Sequence, residues 1–107
     1  VEAVLRRAGK TQYEIELGDL TIDTRSHTVS RGNRPISLTA KEFELLLLFI
    51  QNRNVALFRE TIYERIWGGE YMGDSRTVDL HVQRLRKKLH WEDKIKTIYK
   101  VGYRLEI

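Results

Sequence analysis

Three observations predict an α+β fold for this 107-residue chain. Apolar residues alternate with polar ones from Tyr13 to Leu38, follow a helical period from Leu38 to Leu89, and return to a β-prone run at Thr97–Ile107. The basic excess is confined to the last third, with 10 Lys/Arg against 10 Asp/Glu from Val1 to Met72 and 9 against 5 from Gly73 to Ile107. Within that third, Asp74–Leu89 reads as one helix with two unlike faces. The length suits one domain with a modest core. No apolar run reaches membrane-span length and there is no signal-peptide pattern. The absence of cysteine removes disulfide and thiolate chemistry and fits a cytoplasmic location.

Val1–Lys10 resembles the last turn of an amphipathic helix followed by a linker, and as a terminus it is expected to fray. Four short antiparallel strands follow. Tyr13, Ile15 and Leu17 alternate with Glu14 and Glu16, and Leu20 and Ile22 with Thr21 and Asp23. His27–Arg31 and Arg34–Leu38 complete the set, separated by Gly, Asp, Asn and Ser turns. Such alternation places one sheet face on a core and one in water.

At Leu38–Phe43 a helix starts. Thr39 and Glu42 fit a reciprocal capping box, and Leu38 and Phe43 a hydrophobic staple. The run Leu45–Ile50 is apolar on most sides, as a central core helix is. Val55, Leu57 and Phe58 are expected to pack as a connector. A second helix spans roughly Glu60–Trp67, with Ile62 and Ile66 inward, and stops at Gly68-Gly69. A loop, Gly68–Gly73, leads to the third helix, about 75–89, which Asp74 or Ser75 can cap. Trp91 anchors the next connector. The strands around Lys100-Val101-Gly102 form a terminal hairpin, about 97–107, with Gly102 expected to supply a positive φ.

The third helix carries most of the information. Val78, Val82, Leu85 and Leu89 form one apolar stripe at i, i+4, i+7 and i+11. At about 100° per residue, Arg76, Leu80, Gln83, Arg84 and Lys87 gather on the opposite face, and Asp79 and Arg86 lie on a flank. Enzyme chemistry finds no support. His27, His81 and His90 lack metal-ligand spacing, no phosphate-cradling glycine loop is present, and Asp79 and His81 diverge on their helix. No cofactor is expected.

Helix, loop, helix and hairpin, with charge confined to that end, make a winged helix-turn-helix layout. A major groove about 12 Å wide admits one α-helix. Arg84 can then meet guanine, Gln83 adenine and Leu80 a thymine methyl, while Arg76, Arg86, Lys87 and Lys88 meet phosphates. The hairpin tip reaches the adjacent minor groove or its backbone. The competing class is a protein-interaction module that docks an acidic surface through the same fold.

Thr39-Ala40-Lys41-Glu42-Phe43-Glu44-Leu45-Leu46, Ile66-Trp67-Gly68, the run Arg76–Leu89 and Gly102-Tyr103-Arg104 closely resemble the OmpR/PhoB-type effector domain of bacterial response regulators. The resemblance implies a four-stranded N-terminal sheet, three helices and a C-terminal β-hairpin wing. It implies that residues 1–11 end a receiver helix and its linker, and that 12–107 are the DNA-binding domain. It implies DNA contacts from Trp67, Arg76, Thr77, Asp79, Leu80, Arg84 and Arg86, to which the helix face adds Gln83 and Lys87 and the wing Lys100. Gly68, Gly69, Glu70, Tyr71, Met72 and Gly73 match the segment that similar proteins present to RNA polymerase. A phosphorylation-controlled receiver, a sensor kinase and paired domains on duplex DNA are implied too, with the isolated domain monomeric. Two departures stand out. Tyr99-Lys100 replaces the usual Arg-Gly of the wing tip, and Gln83 stands where a second arginine is common.

Overall fold

A computed structural model describes residues 14–69, 71 and 76–107. The readings of Val1–Lys10 as a linker and of Asp74 or Ser75 as a helix cap fall outside the described residues. The chain divides into two compact units, with the boundary after Ser37.

The first unit is an antiparallel meander of β1 (Glu14–Leu17), β2 (Leu20–Asp23), β3 (Thr28–Arg31) and β4 (Arg34–Ile36). Its register aligns Ile15, Ile22, Val29 and Ile36 directly across the strands. Directly paired residues share a face, so one apolar row crosses the sheet. Leu20, Ile22 and Val29 are buried. His27, expected in the third strand, instead closes the β2–β3 turn with φ 58°. In that turn the Asp23 carboxylate accepts backbone N–H bonds from Arg25 and Ser26 at 2.9 and 3.1 Å. These bonds, that of Ser26 foremost, hold its pKa below the ordinary value.

The second unit contains α1 (Ala40–Gln51), β5 (Leu57–Phe58), α2 (Arg59–Ile66), α3 (Arg76–Leu89), β6 (Ile95–Ile98) and β7 (Gly102–Leu105). The capping box of α1 is formed. The Glu42 N–H donates to Thr39 Oγ1 at 3.2 Å, and the Thr39 N–H donates to Glu42 Oε1 at 3.0 Å. Helix α2 ends where Gly68, with φ 72°, donates its N–H to Glu64 O at 3.1 Å. Helix α3 ends in a Schellman motif. Its left-handed residue is His90 (φ 55°), with His90 N–H on Lys87 O and Trp91 N–H on Arg86 O. That turn directs Trp91 into the core as anticipated, at 3% exposure.

The wing differs from a simple hairpin. Strand β7 is the middle of a three-stranded antiparallel sheet in the order β5-β7-β6, with Leu57 opposite Tyr103 and Phe58 opposite Gly102. The expected connector is therefore a strand, and only Leu57 of its three apolar residues is buried, whereas Val55 and Phe58 are exposed. Gly102 has a different reason for being glycine than its expected positive φ. The left-handed residue of the tip is Lys100, φ 63°, while a Cβ on Gly102 would approach the Leu57 carbonyl oxygen to under 3.0 Å.

Helix α3 packs mainly on α1. Val78, Val82, Leu85 and Leu89 are fully buried, with Phe43, Leu45, Leu46 and Phe49 of α1, Ile62 of α2, and Ile95 and Leu105 of the wing sheet. Helix α3 is thus held by its whole apolar stripe.

Candidate nucleic-acid interface

The two faces of α3 divide as the angular count requires. Opposite the buried stripe, Arg76, Leu80, Gln83, Arg84 and Lys87 are exposed. Leu80 is 48% exposed, an apolar side chain held out in a cationic, polar face. Thr77, Asp79, His81 and Arg86 on the flanks are half-buried. Toward the C-terminal half of the helix, Gln83, Arg84, Arg86 and Lys87 come together with Glu92 around an open groove of about 270 Å³.

At the wing tip, Tyr99 is 83% exposed and the Lys100 ammonium lies 5.4 Å from the centre of its ring. The Val101 N–H donates to Ile98 O at 3.0 Å and closes the turn. Lysine in the left-handed conformation costs roughly 1 kcal/mol relative to glycine. Lys96 and Thr97 on β6 are also exposed.

Asp79 and Arg86 are engaged within the protein. Asp79 Oδ1 accepts from Arg59 Nε at 2.9 Å and from Tyr103 Oη at 2.6 Å. Two guanidinium groups lie over the Tyr103 ring, Arg59 at 5.1 Å and Arg86 at 5.3 Å from its centre. Arg86 then donates from Nη2 to Thr97 Oγ1 at 2.7 Å. One circuit therefore joins the start of α2, one flank of α3, and strands β6 and β7. Burial, followed by the Asp79 bond and charge, raises the Tyr103 phenol pKa above its ordinary value. The Asp79 hydrogen bond does the same for the Arg59 guanidinium. Sequence reasoning missed Arg59. Its only visible signal is its place at the first turn of α2, and its partner lies twenty residues away on another element.

Lys88, read as a phosphate contact, points to a different partner. Its ammonium donates to Glu42 Oε1 at 2.6 Å, and Glu42 is 1% exposed. Trp67 is half-buried at the C-cap of α2, stacked on Tyr63 at 5.6 Å and met edge-on by His81 at 4.8 Å. His81 Nδ1 lies 2.8 Å from the Thr77 carbonyl oxygen, an acceptor, so Nδ1 carries the proton of that bond. In the loop, Gly68 and Gly69 are exposed, and Tyr71 sets its ring edge against Tyr63 at 5.6 Å. Glu70, Met72 and Gly73 lie outside the described residues. Among the described residues, no His/Cys/Asp/Glu group could hold a metal ion and no helix is long and apolar enough to cross a membrane.

The family described as "Transcriptional regulatory protein, C terminal" matches residues 33–105. The chain is 47% identical over 106 residues to the regulatory protein VanRB of Enterococcus faecalis, covering 99% of this chain and 48% of that protein. It is 38% identical to the sensory transduction protein RegX3 of Mycolicibacterium smegmatis, covering 99% and 51%. The chain thus spans about half the length of the curated relatives it matches. The Klebsiella pneumoniae RstA DNA-binding domain, solved in complex with the RstA box, superposes with a TM-score of 0.78 at 30% identity, covering 87% of this chain and 96% of that one. The DNA-binding domain of Bacillus subtilis CssR superposes with a TM-score of 0.74 at 42% identity, covering 80% and 98%. A helix anchored by a buried stripe, a wing sheet and these matches together place the chain in the family of C-terminal domains of transcriptional regulatory proteins, of the OmpR/PhoB type.

Proposed function

We propose that this chain binds duplex DNA sequence-specifically, as the output part of a longer response regulator, and acts by binding rather than catalysis. The observation that carries the reading is the exposed face of α3: Arg76, Leu80, Gln83, Arg84 and Lys87, opposite four fully buried residues. A helix so anchored presents a rigid donor-rich face to a major groove. Arg84, Gln83 and Leu80 read base edges, while Arg76, Thr77 and Lys87 set the register on phosphates. Trp67 supports the backbone side. Lys100 supplies the wing's charge at the next groove, acting on phosphate more than as a narrow-groove probe.

Upstream, residues 1–11 belong to a linker from a receiver whose phosphorylation, by a sensor kinase, controls pairing of domains on DNA. Residues 12–107 are the DNA-binding part, monomeric by themselves and cytoplasmic. Gly68–Gly73 is the segment offered to RNA polymerase.

The decisive experiment selects duplexes from a random pool and then measures variants on the winner. Arg84→Ala should lose about 1–3 kcal/mol on that duplex and relax preference at one base pair. Equal affinities of wild type and variant for selected and random DNA would reject the recognition helix. Lys100→Gln should weaken binding to all sequences evenly and reduce the salt slope by about one unit. Glutamine is chosen because glycine would also relieve the left-handed turn. An unchanged slope would take Lys100 out of the interface.

A further inference from the structure

We infer that Asp79 and Tyr103 are positioning residues, which lock the recognition helix and the wing at a fixed relative geometry, so that both engage one duplex together. The inference rests on the DNA-binding reading and deepens it. Family resemblance assigned Asp79 to the DNA surface, yet its Oδ1 takes two donors from inside the protein, Arg59 Nε and Tyr103 Oη. Those donors belong to the first residue of α2 and to β7, the central wing strand. Two turns further along the same flank of α3, Arg86 lies over the same Tyr103 ring and bonds Thr97 on β6. Helix α3 is therefore tied to the wing at two points, one through Asp79 and one through Arg86, with Tyr103 common to both. Tyr103 is 5% exposed, so its hydroxyl acts inside the protein.

The location of these ties explains their use. Close packing of the apolar core already limits how the wing sits against α3, and the polar ties add directional constraints to it. Short charge-assisted bonds are directional and fix orientation. A binding surface split over two elements gains affinity only when both are held in register beforehand. Arg59 and Arg86 contribute as well, each held by a hydrogen bond and by its place over the ring.

Positioning and direct contact predict different couplings. The probe is the duplex selected from the random pool, at full length and trimmed so that it ends before the groove next to α3. Wild type should bind the trimmed duplex several-fold more weakly, and Lys100→Gln should matter only at full length. Tyr103→Phe removes one hydroxyl and keeps the ring beside the two arginines. In that background, trimming and Lys100→Gln should each lose at least about half of their logarithmic effect, since residues joined in one network behave non-additively. The base preferences of Tyr103→Phe should stay those of wild type. Asp79→Asn, confirmed as folded by circular dichroism, should show the same reduced trimming penalty. Equal penalties for trimming in wild type and Tyr103→Phe would overturn the inference while leaving DNA binding intact. So would an Asp79→Asn variant that keeps the full trimming penalty and relaxes one base pair, the signature of a direct reader. No penalty for trimming in wild type would remove the wing from the interface and overturn the inference, again without touching recognition by α3. Failure of the wild-type chain to bind any selected duplex would instead reject the DNA-binding reading beneath it.

Discussion

Gly102→Ala is expected to destabilise the chain by about 3 kcal/mol or more and to separate the wing hairpin from β5. Gly102 pairs with Phe58 in the wing sheet, and the Cβ of an alanine would fall under 3.0 Å from the Leu57 carbonyl oxygen and 3.0 Å from the Arg59 nitrogen. Both obstacles are backbone, and neither can rotate aside. Leu57 is itself buried and opposite Tyr103, while the Arg59 N–H donates to Val101 O at 3.3 Å. Relief requires β7 to withdraw from β5, which gives up that bond and moves Arg59 away from Asp79. A denaturant midpoint measures the loss, and weakened DNA binding should accompany it in the fraction that still folds. Gly18 and Gly32 provide the internal comparison. Each has a positive φ but open space around its Cβ, so alanine there should cost only about 1 kcal/mol. A Gly102→Ala loss no larger than theirs would show that the close strand approach is not what requires glycine.

Gly102 also shows where sequence reasoning stops. A glycine near a hairpin tip suggests a turn, because local chemistry is all that a sequence displays. The turn is instead made by Lys100, and the glycine answers to a strand more than forty residues earlier. The same division runs through the site. The buried and exposed residues of α3 were legible because a 3.6-residue period depends on one element alone. The capping box at Thr39 and Glu42 was legible for the same reason. Phe58 looked like core from its side chain, yet it lies on the outer face of a sheet whose existence depends on pairing at long range. Asp79 reads as a DNA contact through the family resemblance of the run Arg76–Leu89. Its partners, Arg59 and Tyr103, become visible only when α2 and β7 are brought to it. Lys88 belonged with the phosphate contacts by charge and position, until α1 placed Glu42 beside it. Periodicity and capping specify an element, and cross-element bonds decide which of its polar groups remain available to a partner.

Glu42→Ala is expected to cost about 2–4 kcal/mol, because one side chain serves two purposes. Its Oε1 completes the cap of α1 through Thr39 N–H at 3.0 Å and neutralises Lys88 of α3 at 2.6 Å. Oε2 is buried, with no hydrogen-bond partner among the described residues. Burial alone would raise its pKa. The Lys88 bond and the Thr39 N–H, with Coulomb attraction from Lys88, outweigh it and leave the pKa below the ordinary 4.5. The sign of the pH dependence follows from that depression. Above the unfolded value the folded state holds the charged form more favourably than the unfolded state does, so the stabilisation is complete there. It is lost as the pH falls through the depressed folded value, where the carboxylate takes a proton in both states. Glu42→Gln keeps the length and an acceptor oxygen for Thr39 while removing the charge. Near neutral pH it should therefore lose less than Glu42→Ala, and the gap between it and wild type should narrow as the pH falls below about 4.5. Denaturant midpoints of the three chains across that range measure both differences. A gap to Glu42→Gln that stayed constant with pH would mean that the Lys88 pair adds nothing to folding, leaving Glu42 as a helix cap alone. Lys88 would then be held by geometry rather than charge, and an acidic shift would leave the α1–α3 packing under the recognition helix unchanged.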